Sequence, residues 1–246
     1  MEIASPAARR SPSRLPMLFR ACSLFLVFTA ACLGAIPPEL QSALDAFRAD
    51  GPRGWAYTQT TRSEKHSMVE RYDPIVRAPF SWKLLQKDGR EPTEKELKDY
   101  RNRVAFRSND GTASVKDQII PASCELVAED GDTADYRFRL SPGAQEDRTA
   151  EHMRATFRLH RPSGAITRVE LANAGTFSPV MAVEITEART IMDYSVPVEG
   201  QPSLLLSVHT RVRGTSFWFR SLDDELQVDY SEHRFAGRTP PATNDR

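Results

Sequence analysis

Met153-Arg-Ala-Thr-Phe157-Arg-Leu-His-Arg-Pro-Ser-Gly164-Ala-Ile-Thr-Arg-Val169-Glu-Leu171 is the stretch that decides the fold. Ala155, Phe157 and Leu159 alternate with Arg154 and Arg158, which places apolar and charged side chains on opposite sides of an extended chain. Pro162-Ser-Gly164 supplies turn chemistry, and the chain returns through Val169 and Leu171. This is how an antiparallel pair with one wet face reads.

The same rhythm extends outward in both directions. Cys124–Ala128 and Tyr136–Leu140 flank Glu-Asp-Gly-Asp, a second hairpin signal. Downstream, Met181–Ile191, Leu204–Val212, Phe217–Phe219 and Leu226–Tyr230 read as strands, with Asp223-Asp224-Glu225 as a solvated turn between the last two. Upstream, Trp55, Tyr57 and Gln59 share one strand face. Met68, Glu70 and Tyr72 mark a second strand, and Phe80, Trp82 and Leu84 a third, closed by Asp88-Gly89.

Two helices interrupt the pattern. Leu40, Ala43, Leu44 and Phe47 recur at helical spacing after Pro38, and Gly51-Pro52 ends that run. Thr93 with Glu96 is a capping box, followed by a thin stripe of Leu97, Tyr100, Val104 and Phe106. Hairpins in succession without a βαβ rhythm predict a mainly β (α+β) fold. Its centre is a strongly curved antiparallel sheet or incomplete barrel of about nine strands, covered by two helices. Residues 36–237 read as one domain without internal repeats, and 238–246 as a disordered tail.

Charge and composition exclude some functions. The 246 residues carry 33 basic and 33 acidic groups. The first 35 hold four of the former and one of the latter, which leaves 29 against 32, or −3. Such a balance gives no general pull toward nucleic acid or an anionic membrane surface. Arg9, Arg10, Arg14 and Arg20 precede the apolar run Ala21–Ala31, the layout of a secretory signal over residues 1–35 and too short to span a bilayer. The expected compartment is the periplasm. Thr29-Ala-Ala-Cys32 resembles a lipobox, so lipidation at Cys32, with a tether to the outer membrane, stands beside simple cleavage after Ala35. With Cys32 either lost or lipidated, Cys124 is the one free cysteine of the mature chain, which rules out a disulfide framework.

No metal-ligand, nucleophile or phosphate-loop pattern occurs, so no catalytic residue, metal or cofactor is assigned. A catalytic site would require a group such as His66, Glu70 and Asp73 to converge. Two features remain. Arg137, Arg139, Arg154, Arg158, Arg168, Arg211, Arg213 and Arg220 could make one sheet face basic, unless acids interleave with them. Trp55, Tyr57, Tyr72, Trp82, Phe157, Phe217 and Phe219 could line an apolar cavity or fill a core.

The segments Trp55-x-Tyr57-Thr58-x-Thr60, Glu70-Arg71-Tyr72-Asp73-Pro74 and Trp82-x-Leu84-Leu85-x-x-Asp88-Gly89-x-x-Pro92-Thr93 resemble a group of uncharacterised exported bacterial proteins. The layout of signal, short helix, curved sheet and helix is similar to the periplasmic lipoprotein-carrier superfamily of the LolA/LolB type. That resemblance implies an incomplete barrel with helices as a lid over a cavity for acyl chains, and it includes relatives that sense rather than carry. The expectation is a non-enzymatic envelope protein that binds a lipid or other amphipathic ligand through those seven aromatics. The alternative is a protein–protein or sensor module using a sheet edge or the arginine face. Glu70, Arg71 and Asp73 are expected to form an ion-pair network around the turn at Pro74.

Overall fold

The computed structural model describes residues 35–49, 53–77, 80–105, 115–142, 149–199, 201–217 and 219–237. All of them belong to one of the chain's two units, Cys32–Arg246; the other, Met1–Ala31, lies outside them. The signal, Cys32, Phe106, Trp218 and the tail are likewise outside the described residues.

The chain runs α1 (Pro38–Ala46), β1 (Trp55–Ser63), β2 (Ser67–Tyr72), β3 (Trp82–Lys87), α2 (Glu94–Ala105), α3 (Val115–Gln118) and, after a short 3₁₀ turn, β4 (Glu125–Glu129). It continues with β5 (Thr133–Arg139), α4 (Thr149–His152), β6 (Met153–His160), β7 (Ala165–Asn173), β8 (Val183–Tyr194), β9 (Leu205–Ser216) and β10 (Arg220–Phe235). The fold is mainly β. Ten strands, rather than about nine, form one antiparallel sheet in the order β3-β2-β1-β10-β9-β8-β7-β6-β5-β4. Among the described residues four α-helices accompany it instead of two, the added pair being single turns.

The order joins the first strand to the last. Each strand otherwise neighbours those next to it in sequence, so the sheet lacks only a β3–β4 pair to be a closed up-and-down meander. It is open there. In sequence, α2 and α3 fall between those two edge strands.

Register shows that the two faces are chemically distinct. Residues directly opposite each other share a face. One continuous row of such partners is Leu126, Tyr136, Phe157, Val169, Met192, Val208, Val228, Thr61 and Met68, crossing β4 to β2. The row one step away begins Asp135, Arg158, Arg168, Asp193, Ser207, Asp229. The first face is apolar and the second is charged.

Helices cover the two ends of the apolar face. Leu40, Ala43 and Leu44 of α1, with Phe47, pack on Tyr136, Phe138, Phe157, Val169 and Tyr194 of β5–β8. Tyr100, Val104 and Leu97 of α2 pack on Leu84, Trp82 and Met68 of β3 and β2. The Thr93–Glu96 capping box forms as the sequence predicts: each backbone N–H donates to the other side chain, at 2.9 and 3.3 Å.

Two readings of the last hairpin are corrected. Phe217 and Phe219 do not lie in a strand. Both sit in the turn between β9 and β10, with Phe217 at φ 52°. Asp223-Asp224-Glu225 is not a turn but lies inside β10, opposite Arg213, Val212 and Arg211. Cross-strand arginines neutralise two of the acids there, which a local reading of three acidic residues does not register.

Candidate functional site

Between the two helix-covered ends the apolar face is less covered, and Asp224 joins it opposite Val212. Val208 and Val212 of β9 are half-buried, and Leu226 of β10 is 37% exposed. Thr210 lies between the two valines, its hydroxyl 3.1 Å from that of Thr190 on β8. Strands β8–β10 thus present an apolar strip that neither α1 nor α2 fully covers.

One end of this strip holds an aromatic cluster. Tyr57 of β1 packs against Tyr72 of β2, Trp82 of β3 and Tyr230 of β10, with ring centroids 5.2, 5.9 and 5.4 Å away. Tyr72 and Trp82 are 5.0 Å apart. The His233 ring lies 6.2 Å from Tyr57, and its Nε2 is 3.0 Å from the Leu205 carbonyl, which fixes that nitrogen as the donor. Burial pushes the His233 imidazole below its usual range, only partly offset by this bond. Burial, with the Asp73 charge, raises the Tyr72 phenol. Both groups are therefore held neutral near pH 7. Glu70, fully buried on the same face, accepts a 3.3 Å hydrogen bond from Gln59 Nε2.

The seven aromatics singled out from sequence divide four ways. Tyr57, Tyr72 and Trp82 come together in the cluster. Trp55 pairs with Phe235 at 5.7 Å beside it. Phe157 is fully buried in the core beneath α1, 6.3 Å from Phe47 and 5.8 Å from Phe138. Phe217 and Phe219 are 61% and 87% exposed at the β9–β10 turn.

Sequence reasoning missed Tyr230 and His233. Tyr230 continues the alternation of Leu226 and Val228 and was open to discovery. His233 was not, because a bulge at Glu232, with φ 52°, resets the strand's side-chain period just before it.

The polar groups considered for catalysis do not converge. His66 sits at the β1–β2 turn, 3.6 Å from Asp88. Asp73 lies past the far end of β2, and Glu70 faces the apolar side. The ion-pair network foreseen around Pro74 is also divided: Arg71 pairs with Glu232 at 2.9 Å, while Asp73 pairs with Arg234 at 3.8 Å. No group of three or more potential metal ligands exists among the described residues.

Of the eight arginines singled out, all but Arg220 lie on the charged face with acids between them; Arg220, opposite Ser216, falls on the other face. Arg158 pairs with Asp135 at 2.7 Å, Arg168 with Asp193 at 2.6 Å, Arg213 with Glu187 at 3.4 Å and Arg137 with Glu125 at 3.4 Å. Such interleaving cancels much of the positive field that free arginines would project.

No family model matches the chain, and no curated protein matches it. A solved structure of an isomerase-inactive variant of GphF DH1 is similar at a TM-score of 0.19 and 10% identity, over 82% of this chain and 81% of that one. A likeness at that level carries no argument about fold or function.

Proposed function

We propose that this protein is a non-enzymatic component of the bacterial envelope that binds a lipid or another amphipathic ligand on the apolar face of its sheet. The observation that carries the reading is the half-covered apolar strip on β8–β10, between the α1 and α2 ends and leading to the aromatic cluster. Alkyl chains would lie along Val208, Val212 and Leu226. The neutral rings of Tyr57, Tyr72, Trp82, Tyr230 and His233 would take the more polar end. In this reading the sheet curves around its ligand as an incomplete barrel, as in the LolA/LolB type, with the helices as a lid. The chain is exported to the periplasm through the segment at residues 1–35, or anchored to the outer membrane at Cys32.

Native mass spectrometry of the full chain from an envelope fraction, followed by organic extraction, tests this. Lipid-sized adducts are expected, and they should fall at least about tenfold in Trp82→Ala while Phe219→Ala keeps them. Bare protein with no extractable lipid would remove the reading.

A protein–protein module is the second reading, and one observation favours it. Edge strand β4 is exposed at all five residues, including Leu126 and Val127. An open edge of this kind accepts an added strand. Peptide binding lost on Val127→Pro, with no lipid found, would shift the balance to this reading.

A further inference from the structure

Three strands outrun their neighbours at the end opposite the aromatic cluster. β8 pairs with β7 only over residues 189–193, and β10 pairs with β1 only over 226–235. The segments 183–188, 211–216 and 220–225 therefore pair with one another, apart from a single bridge between Phe177 and Ile185. They make a three-stranded arm about six residues long, roughly 20 Å at the rise of a strand.

One face of the arm's shaft is charged, while the other carries Val212, Leu222 and Ile185. Arg213 pairs with Glu187 at 3.4 Å and Asp223 at 3.5 Å, and Arg211 with Glu225 at 3.7 Å. Its tip is different. Met181 is 93% exposed, Phe219 87%, Val180 62% and Phe217 61%. The Phe217 N–H donates to the Ala182 carbonyl at 2.6 Å, which ties the β9–β10 turn to the loop before β8. Ala182 and Phe217 both hold left-handed backbone, at φ 67° and 52°, which is costly for residues with a Cβ. Four large apolar side chains are thus gathered in one place and turned to solvent. Val183, Ser216 and Arg220, then Glu184, Thr215 and Ser221, form the next two layers down the arm.

We propose that this arm docks the protein on a lipid bilayer, with Val180, Met181, Phe217 and Phe219 entering below the headgroups. The order of chemistry along the arm selects this occupant: an apolar cap, then hydroxyls with one arginine and one glutamate, then paired charges. It matches the passage from acyl chain through phosphate to water. The cap exposes roughly 500 Å², less than the ~800 Å² per partner that a specific protein interface needs. Its convex shape asks no complementary surface of a bilayer. The inference stands independently of ligand binding, because the cap and the aromatic cluster occupy opposite ends of β10.

Hydrogen–deuterium exchange on the full chain, with and without phosphatidylethanolamine–phosphatidylglycerol vesicles, tests it. Amides of residues 180–183 and 215–217 should slow about tenfold when vesicles are present, while the turn at 64–66 is unchanged. The double variant Met181→Ser, Phe219→Ser should melt like the wild type and lose that slowing. The proposal is overturned by three results: no vesicle-dependent slowing at the tip, equal slowing in the variant, or slowing without vesicles that grows with protein concentration. The last would mark a contact between copies of the chain.

Discussion

Glu96 shows how much a single side chain can organise. Its carboxylate accepts hydrogen bonds from Arg90 at 2.9 Å, from Lys87 at 2.8 Å, and from the backbone and hydroxyl of Thr93 at 2.9 and 3.0 Å. Those donors, Arg90 first, hold its pKa well below the usual carboxylate range. A depressed carboxylate stabilises the fold above its unfolded pKa of about 4.5, and that contribution fades as pH falls below it. Thermal melts should therefore show stability dropping below pH 4.5 and a shallower drop in Glu96→Gln. Thr93→Ala should cost about 1 kcal/mol at neutral pH. The motif was legible because its partners sit three residues apart.

His233 has the opposite visibility and its own pH signature. Its folded pKa lies below the ordinary imidazole value of 6.5, so the unfolded chain takes up the proton more readily. Stability should fall as pH drops through about 6.5, and His233→Gln should flatten that slope in equilibrium unfolding. Phe157 is the residue where one sequence cue fits two readings. An apolar residue on a strand face can line a cavity or fill a core, and it is α1, over a hundred residues earlier, that covers this one. Phe157→Ala should cost about 3–5 kcal/mol in chemical denaturation. A loss under 1 kcal/mol would mean that the site is open rather than packed.

Among the elements, strand faces and hairpin partners were readable, and where each pairing stops was not. Alternation in Ala155, Phe157 and Leu159 states which side each residue takes, and the turns marked by Gly89, Gly131 and Gly164 are in place, whereas the one expected at Asp223-Asp224-Glu225 is not. The β9–β10 turn has no such residue at Phe217, whose left-handed backbone is carried by a phenylalanine. The result was a strand predicted where the chain reverses. The arm was equally hidden, because its length depends on where β7 and β1 stop pairing. Gly214 marks how closely its strands approach: a Cβ there would lie 2.1 Å from the Glu184 carbonyl oxygen. Gly214→Ala should force β8 and β9 apart and cost roughly 1–3 kcal/mol, with faster amide exchange in 183–188 than in the body of the sheet. Unchanged exchange there would show that the arm tolerates a wider spacing.

For the molecule as a whole, hairpin succession correctly gave an antiparallel sheet, but not the meeting of β1 with β10 that brings Tyr57 beside Tyr230. That pairing spans most of the chain and has no local cue, so only part of the aromatic cluster could be foreseen. The resulting division is simple: an apolar face covered at both ends, a charged face that pairs with itself, and a capped arm. The most direct measurement is photo-crosslinking with a diazirine-bearing fatty acid, mapped by peptide mass spectrometry. Labels are expected on Tyr57, Tyr72, Val208, Val212, Leu226 and Tyr230, with none on their neighbours across the strand such as Arg211 and Asp229. Labels spread over both faces, or confined to the tip around Met181, would contradict a ligand site on the apolar face.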